Sequence, residues 1–496
     1  VRRQRQMCIR DSISSLPSPY GIGTMGAAAR SFVDFLVKSG QAYWQILPVC
    51  PTSYGDSPYQ SFSTFAGNPY FIDLDDLAKQ GLLLPEEYAS IDWECTPDCI
   101  NYGVMYEKRY AVLRCAAKRL LAKPGADYRR FVKENDFWLP DYALFMALKD
   151  AHNGACWLEW EEPLRRRESA AMAAARQQYA DDVAFWQAVQ FMFYSQWQAL
   201  KHYANQQEIR IIGDLPIYVA LDSVDVWSCP QEFQLDENLL PTEVAGCPPD
   251  GFSATGQLWG NPLFDWDSMA KTGYAWWVRR IKHMCSTYDV VRIDHFRGFA
   301  GYYAIPYGEA TARNGRWREG PGYALFAAIK KKLGSPRIIA EDLGFLTEDV
   351  TALLKQCGYP GMKVLEFAFD SRDGGDYRPH SYPKNCIAYV GTHDNEPVNG
   401  WMETAAPEDV ARAVRYLNLT KKEGYHWGMM RGIWSSAADL AVVQAQDLLG
   451  LGHESRMNTP STLGGNWCWR AEPGVFNTRL AKKLHSEMEL YGRLPE

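Results

Sequence analysis

The chain has 496 residues, enough for two or three average domains or for one barrel with insertions. With 47% hydrophobic and 22% charged residues, and no apolar run long enough to span a bilayer, it reads as a soluble globular protein with no membrane partner. A formal charge of −7, with no Lys/Arg stripe interleaved with aromatics, argues against nucleic acid.

The 12 cysteines are scattered, with only Cys95 and Cys99 close together and no C-x-x-C pair, so neither a zinc ribbon nor a redox motif is indicated. The N-terminus carries no apolar signal region. Both features fit reduced thiols in a cytoplasmic protein. The aromatic content is high, 14% with 18 Trp and 28 Tyr. Such rings pack cores first, and they also suit a protein that stacks the flat faces of sugars.

In chain order, short apolar runs end in polar or Gly-rich residues: "AYWQILPV" (42–49), "IRIIGDLPIYV" (209–219), "DVVRIDHF" (289–296) and "RIIAED" (337–342). "MKVLEFAFD" (362–370), "CIAYVGTHDN" (386–395) and "DLAVVQAQDLLG" (439–450) follow. Helical periods lie between the later runs, as in "GYALFAAIKKKLG" (322–334), "DVTALLKQCG" (349–358) and "APEDVARAVRYLN" (406–418). Alternating strand and helix predicts parallel strands joined by crossovers, here an α/β (β/α)8 TIM barrel. No G-x-G-x-x-G turn supports a dinucleotide fold. Two gaps exceed loop length: about 55–205, rich in helical pattern, and about 220–280, which carries the Pro/Gly-rich 248–262 segment. Both predict insertions into a single catalytic barrel.

Barrel active sites lie at the C-terminal ends of the strands. Here run after run closes on a carboxylate: Asp214, Asp294, Glu341, Asp370 and Asp394. A lone Asp after a strand is more often a helix cap or a loop acid, but five at one barrel mouth predict a site. Arg292 and Asp294 share one face of their strand while Val291 and Ile293 share the other. A guanidinium one pleat below Asp294 should favour its ionised form, as a nucleophile requires, although a purely structural Arg–Asp pair is the alternative. The apolar approach to Glu341 should raise its pKa toward that of a general acid, with Asp342 as the competing candidate. His393 and Asp394 would offer a donor and a second anion. His295 should point away from Asp294 and lie outside the chemistry. Two carboxylates flanking a scissile bond are the minimum for glycoside hydrolysis or transfer, with about 5–5.5 Å between them in a retaining enzyme.

The motifs "SLPSPYGIG", "SYGDSPYQS", "PPDGFSATGQLWGNP", "VRIDHFRGF", "AEDLG", "GTHDN" and "LLGLGHESRMNTPST", in this order, resemble the amylomaltases or disproportionating enzymes of glycoside hydrolase family 77. The resemblance runs from about Ser14 to near the C-terminus. It implies a barrel of the α-amylase clan without a C-terminal β-domain, and a 4-α-glucanotransferase. Such an enzyme cleaves an α-1,4 bond of a maltooligosaccharide and passes the glycosyl group to the 4-hydroxyl of another glucan or glucose, without metal or cofactor.

By motif, the resemblance makes Asp294 the nucleophile, Glu341 the general acid/base and Asp394 the stabiliser of the distorted sugar, with Arg292 and His393 in support. It makes 248–262 a lid with Trp259 and Asn261 as sugar contacts, and places Tyr54 and Tyr59 near the mouth. Arg456 and Asn458 also match. The departures are Phe264 where a Tyr is common, "DNEPVNGW" after the "GTH" turn, and residues 1–12, "VRRQRQMCIRDS", read as a non-native head that leaves the first strand badly specified. A hydrolase of the wider clan and a glucan-binding protein without catalysis are the other readings. The missing β-domain and the lid disfavour the first, and the intact carboxylates disfavour the second.

Overall fold

The computed structural model describes residues 5–495 apart from 54, 250–252, 345 and 372–376. Eight parallel strands form one sheet: β1 (Gln6–Arg10), β2 (Tyr43–Gln45), β3 (Arg210–Leu215), β4 (Val290–Ile293), β5 (Ile338–Ala340), β6 (Gly361–Val364), β7 (Cys386–Tyr389) and β8 (Leu440–Gln444). Their order is β6-β7-β8-β1-β2-β3-β4-β5, and the two ends meet where Ala340 N donates to Pro360 O (3.0 Å). The result is a (β/α)8 barrel. Alternation along each strand divides the apolar residues in two. Cys8, Ile212, Val290, Ile339, Ile387, Tyr389 and Leu440 pack together in the interior. Ile9, Ile211, Val291, Ile293, Ile338 and Val443 join the core beneath the helices.

The head, expected to specify the first strand badly, nevertheless supplies it. Cys8 pairs with Val442 and Tyr43, and Ile9 with Val443 and Trp44. Three consecutive apolar residues, Met7, Cys8 and Ile9, suffice. The next inward position is Arg10, whose buried Nη2 has no hydrogen-bond partner among the described residues. An unsatisfied buried donor costs on the order of 1–3 kcal/mol.

Helices fill the chain between β2 and β3. Of these, α1 (Leu139–Ala151) packs along the 27-residue α2 (Ala180–Gln206). Phe185, Val189, Phe193, Trp197 and Leu200 recur at helical spacing on the buried face of α2. Two buried glutamines of α2 serve the loop that runs up to the barrel mouth. Gln190 accepts from Gly67 N (2.7 Å) and donates to Gly67 O (2.9 Å); Gln196 does the same for Asp73 (2.7 and 3.0 Å). Each amide replaces the strand partner that an irregular backbone lacks.

Between β3 and β4 the structure holds two strands where the sequence showed only a Pro/Gly-rich segment, and two more that pair with them follow β4. Gln257–Pro262, Glu243–Cys247, Gly301–Pro306 and Arg316–Glu319 form an antiparallel sheet beside the barrel. Glycines at 246 and 260 and a bulge between Val244 and Gly246 erase the two-residue alternation that announces a strand. After β8, no further strand occurs among the described residues. No helix among them is long and apolar enough to cross a membrane.

Candidate active site

Asp214, one residue before the end of β3, is buried with Arg292 of β4. Gly213 precedes it because a Cβ there would lie 2.2 Å from the ring of Tyr288. Arg292 Nη1 donates to both oxygens of Asp214 (2.7 Å each) and to Asp294 Oδ1 (2.9 Å). The pleat therefore aims Arg292 and Asp294 at the barrel axis, and Asp214 holds the guanidinium from the other side. Tyr59 OH donates to Asp214 Oδ2 (2.8 Å), and its ring stacks on His393 at 4.9 Å. Removing one partner of a buried ion pair costs about 3–5 kcal/mol. Asp214→Ala is expected to lose roughly that much stability in denaturant unfolding, together with activity, because Arg292 loses its anchor.

Strand β4 stops at Ile293, and His295 adopts a left-handed backbone (φ 52°). The extended pleat does not continue, which turns the His295 backbone toward the neighbouring strand end. His295 N donates to Glu341 Oε2 (2.6 Å), and Leu343 N donates to Glu341 Oε1 (2.8 Å). The imidazole packs edge-on against Trp259 at 4.8 Å, and burial lowers its pKa to about 3. The side chain thus packs on Trp259 while its peptide orients Glu341. Asp342, the competing candidate, is turned to the strands: its Oδ1 accepts from Met362 N (2.6 Å) and ties the end of β5 to β6, while Glu341 lines the cleft.

Asp394 follows β7 in the "GTHDN" turn. Asn458 Nδ2 donates to its Oδ1 (2.6 Å), His393 Nε2 stands 3.4 Å from the same oxygen, and Arg456 Nη2 donates to its carbonyl (2.6 Å). Burial lowers the His393 pKa well below its ordinary value, so the imidazole is a neutral hydrogen-bonding group. Asn395 caps the turn by accepting from Thr392 N and Oγ1 (2.8 Å each).

The electrostatics differ from the simple expectation for Asp294. Burial and the neighbouring carboxylates Asp214, Glu341 and Asp394 raise its pKa to about 8, although Arg292 pulls the other way. The one guanidinium beneath Asp294 is already shared with Asp214. Glu341 is raised by burial too, against the pull of Arg292 and its two backbone donors, as the apolar approach to it suggested. Carboxylates this strongly coupled hold protons as a group, which is how one member can serve as acid while another stays anionic.

Two cavities open beside these carboxylates. The larger, about 860 Å³, is lined by Arg292, Asp294, Glu341 and Asp370 among others. The smaller, about 340 Å³, is lined by Tyr59, Trp259, Asn261, Asn458 and Trp467. His393 and Asp394 border both, so a chain could run from one cavity past the carboxylates into the other.

Asp370 reaches the mouth by a different route from the one expected. Strand β6 ends at Val364 and a 3-10 turn over Leu365–Phe369 carries the chain on, so Asp370 is a loop residue of the cleft wall. Asn261 is largely buried, donates to Val219 O (2.8 Å) and pairs with Gln60, which gives it an architectural task. Tyr54 lies outside the described residues. Sequence reasoning did not single out Trp467, whose ring lies 5.5 Å from His393 and 5.8 Å from Tyr59. Its only sequence signal was a Trp close behind "RMNTP". Burial raises the pKa of Asp394, and Arg10, also missed, opposes that rise together with Asn458, Arg292 and Arg456.

Comparison with known proteins agrees with this geometry. Residues 12–476 match the family model of glycoside hydrolase family 77, 4-alpha-glucanotransferase. The 4-alpha-glucanotransferase of Clostridium butyricum is 50% identical, over 97% of this chain and 99% of its own. That of Streptococcus pneumoniae is 46% identical, over 100% and 98%. The amylomaltase from Streptococcus agalactiae in complex with acarbose superposes with a TM-score of 0.97 at 42% identity, covering 99% of this chain and 100% of that one. The barrel with its ring of carboxylates, and matches that run the length of the chain, place this protein in glycoside hydrolase family 77 as a 4-alpha-glucanotransferase.

Proposed function

We propose that the enzyme transfers α-1,4-glucan segments by a retaining, two-step route through a covalent glycosyl ester on Asp294. The observation that carries the reading is the Asp214–Arg292–Asp294 relay, which fixes one carboxylate oxygen at the barrel axis opposite an independently held Glu341. Asp294 attacks the anomeric carbon of a bound maltooligosaccharide while the carboxyl of Glu341 gives its proton to the departing 4-oxygen. The 4-hydroxyl of a second glucan or of glucose then returns a proton to Glu341 and takes the glycosyl group, releasing Asp294. Asp394, steadied by Asn458, grips sugar hydroxyls as the ring flattens. Tyr59 and Trp467 present ring faces to the sugars, and Trp259, across the smaller cavity, covers the lid side. Acarbose in the Streptococcus agalactiae amylomaltase supports this reading of the cleft as a glucan site.

Incubation with maltotriose tests the reaction class. Free glucose is expected to rise while total reducing ends stay constant. A parallel rise in both would mean water is the acceptor and would overturn the transferase reading.

A further inference from the structure

The segment that carries Trp467 into the cleft is held from outside by the stretch at 95–102. Arg470 N donates to Asp98 O (2.8 Å) and Ile100 N to Cys468 O (2.9 Å), a short antiparallel bridge that opposes Cys99 and Trp469. Tyr102 OH donates to Trp467 O (3.0 Å). This clasp brings together cysteines 369 positions apart (468 minus 99), both of them reduced. Cys468 adjoins Trp469, the bridge partner of Cys99, and its thiol is in hydrogen-bonding contact with that of Cys99; Cys99 is exposed, and Cys468 is partly buried, with burial raising its pKa to about 12. A third thiol, Cys95, stands 3.9 Å from Arg470 Nη1.

We propose that Cys99 and Cys468 form a reversible disulfide, made with a low-molecular-weight disulfide as oxidant, that displaces the Trp467 segment and slows transfer. The exposed Cys99 thiolate attacks the small disulfide, forming a mixed disulfide and expelling one thiolate. Cys468 then loses its proton to solvent and attacks the Cys99 sulfur, expelling the second. Two protein thiols are oxidised and one small disulfide is reduced to two thiols, so the step balances. Closing the bond draws the sulfurs to about 2.05 Å. The movement falls on the residue after Trp467, which already sits at φ 63° between His393 and Tyr59. Trp467 has little freedom to absorb it.

The test uses the full chain and glutathione disulfide. Peptide mapping without reductant should find a Cys99–Cys468 cross-link. Glucose release from maltotriose should fall about tenfold, since displacements near 1 Å in a preorganised site cost this much or more. Dithiothreitol should restore it. Cys99→Ser and Cys468→Ser should keep the reduced enzyme's rate and become insensitive to the oxidant, while Cys95→Ser should respond like the wild type. A Cys95–Cys99 cross-link, mixed disulfides only, or full cross-linking with an unchanged rate would each overturn the proposal. Unoxidised protein with no transfer activity would instead count against the transferase assignment.

Discussion

Replacing Asp294 by Asn is expected to lower kcat/KM for maltotriose disproportionation by at least about 10⁴-fold, the scale of loss when a nucleophile is removed from an interdependent catalytic set. The amide keeps the shape of the carboxylate, and its oxygen can still accept from Arg292 Nη1, which now donates to Asp294 Oδ1 at 2.9 Å. Fold and glucan binding should therefore survive. Titration calorimetry with a maltooligosaccharide should show affinity close to the wild type, and the unfolding midpoint should not fall, because the substitution takes one charge out of a crowded acidic site. Near-normal turnover would refute Asp294 as the nucleophile. Loss of binding together with turnover would point to misfolding.

Glu341→Gln should reduce turnover of maltotriose by roughly 10² to 10⁴-fold, the range for loss of a general acid/base. The effect should depend on the leaving group. An α-maltosyl fluoride departs without needing a proton, so formation of the glycosyl-enzyme should be largely spared and its transfer onward impaired. The pH profile supplies a second readout. Because burial raises Glu341 and burial with neighbouring carboxylates raises Asp294, the proton held by the group persists to higher pH than on an ordinary carboxylate. The wild-type alkaline limb, where that proton is lost and kcat/KM falls, should accordingly lie above the ordinary Glu value of 4.5. The Gln variant should lose this limb. A variant that keeps both the limb and the fluoride-to-maltotriose ratio of the wild type would remove Glu341 from the acid/base role.

The contrast between Glu341 and Asp342 shows where neighbouring residues of one motif part company. Both are acids after an apolar strand, and both are raised by burial. Only the tertiary structure separates them. Asp342 spends an oxygen on Met362 N to join two strands, whereas Glu341 faces the cleft on donors from β4 and from its own loop. Their electrostatics could not be read from the sequence either. The expectation that Arg292 would hold Asp294 ionised counted one neighbour, and three other carboxylates share the space. Asp214, which takes two of the guanidinium's contacts, sits 78 positions from Arg292 in the chain.

What the sequence determined by itself was the periodicity and its interruptions. Alternating strand and helix patterns, with acids closing the apolar runs, are local properties, and they suffice for a barrel with Asp294, Glu341 and Asp394 at its mouth. Motifs in a fixed order sufficed for the family. The tertiary structure alone decided which long-range partners each acid meets, because hydrogen bonding, burial and charge depend on separations through space. It decided that the unusual head still supplies β1, since three consecutive apolar residues flanked by β8 and β2 are enough to pair. It also decided that 257–262 joins an antiparallel sheet with 243–247, 301–306 and 316–319, and that Trp467 stands beside the site on a segment clasped from behind by residues 98–102. Contacts of that range leave no period in the chain, so only folding reveals them.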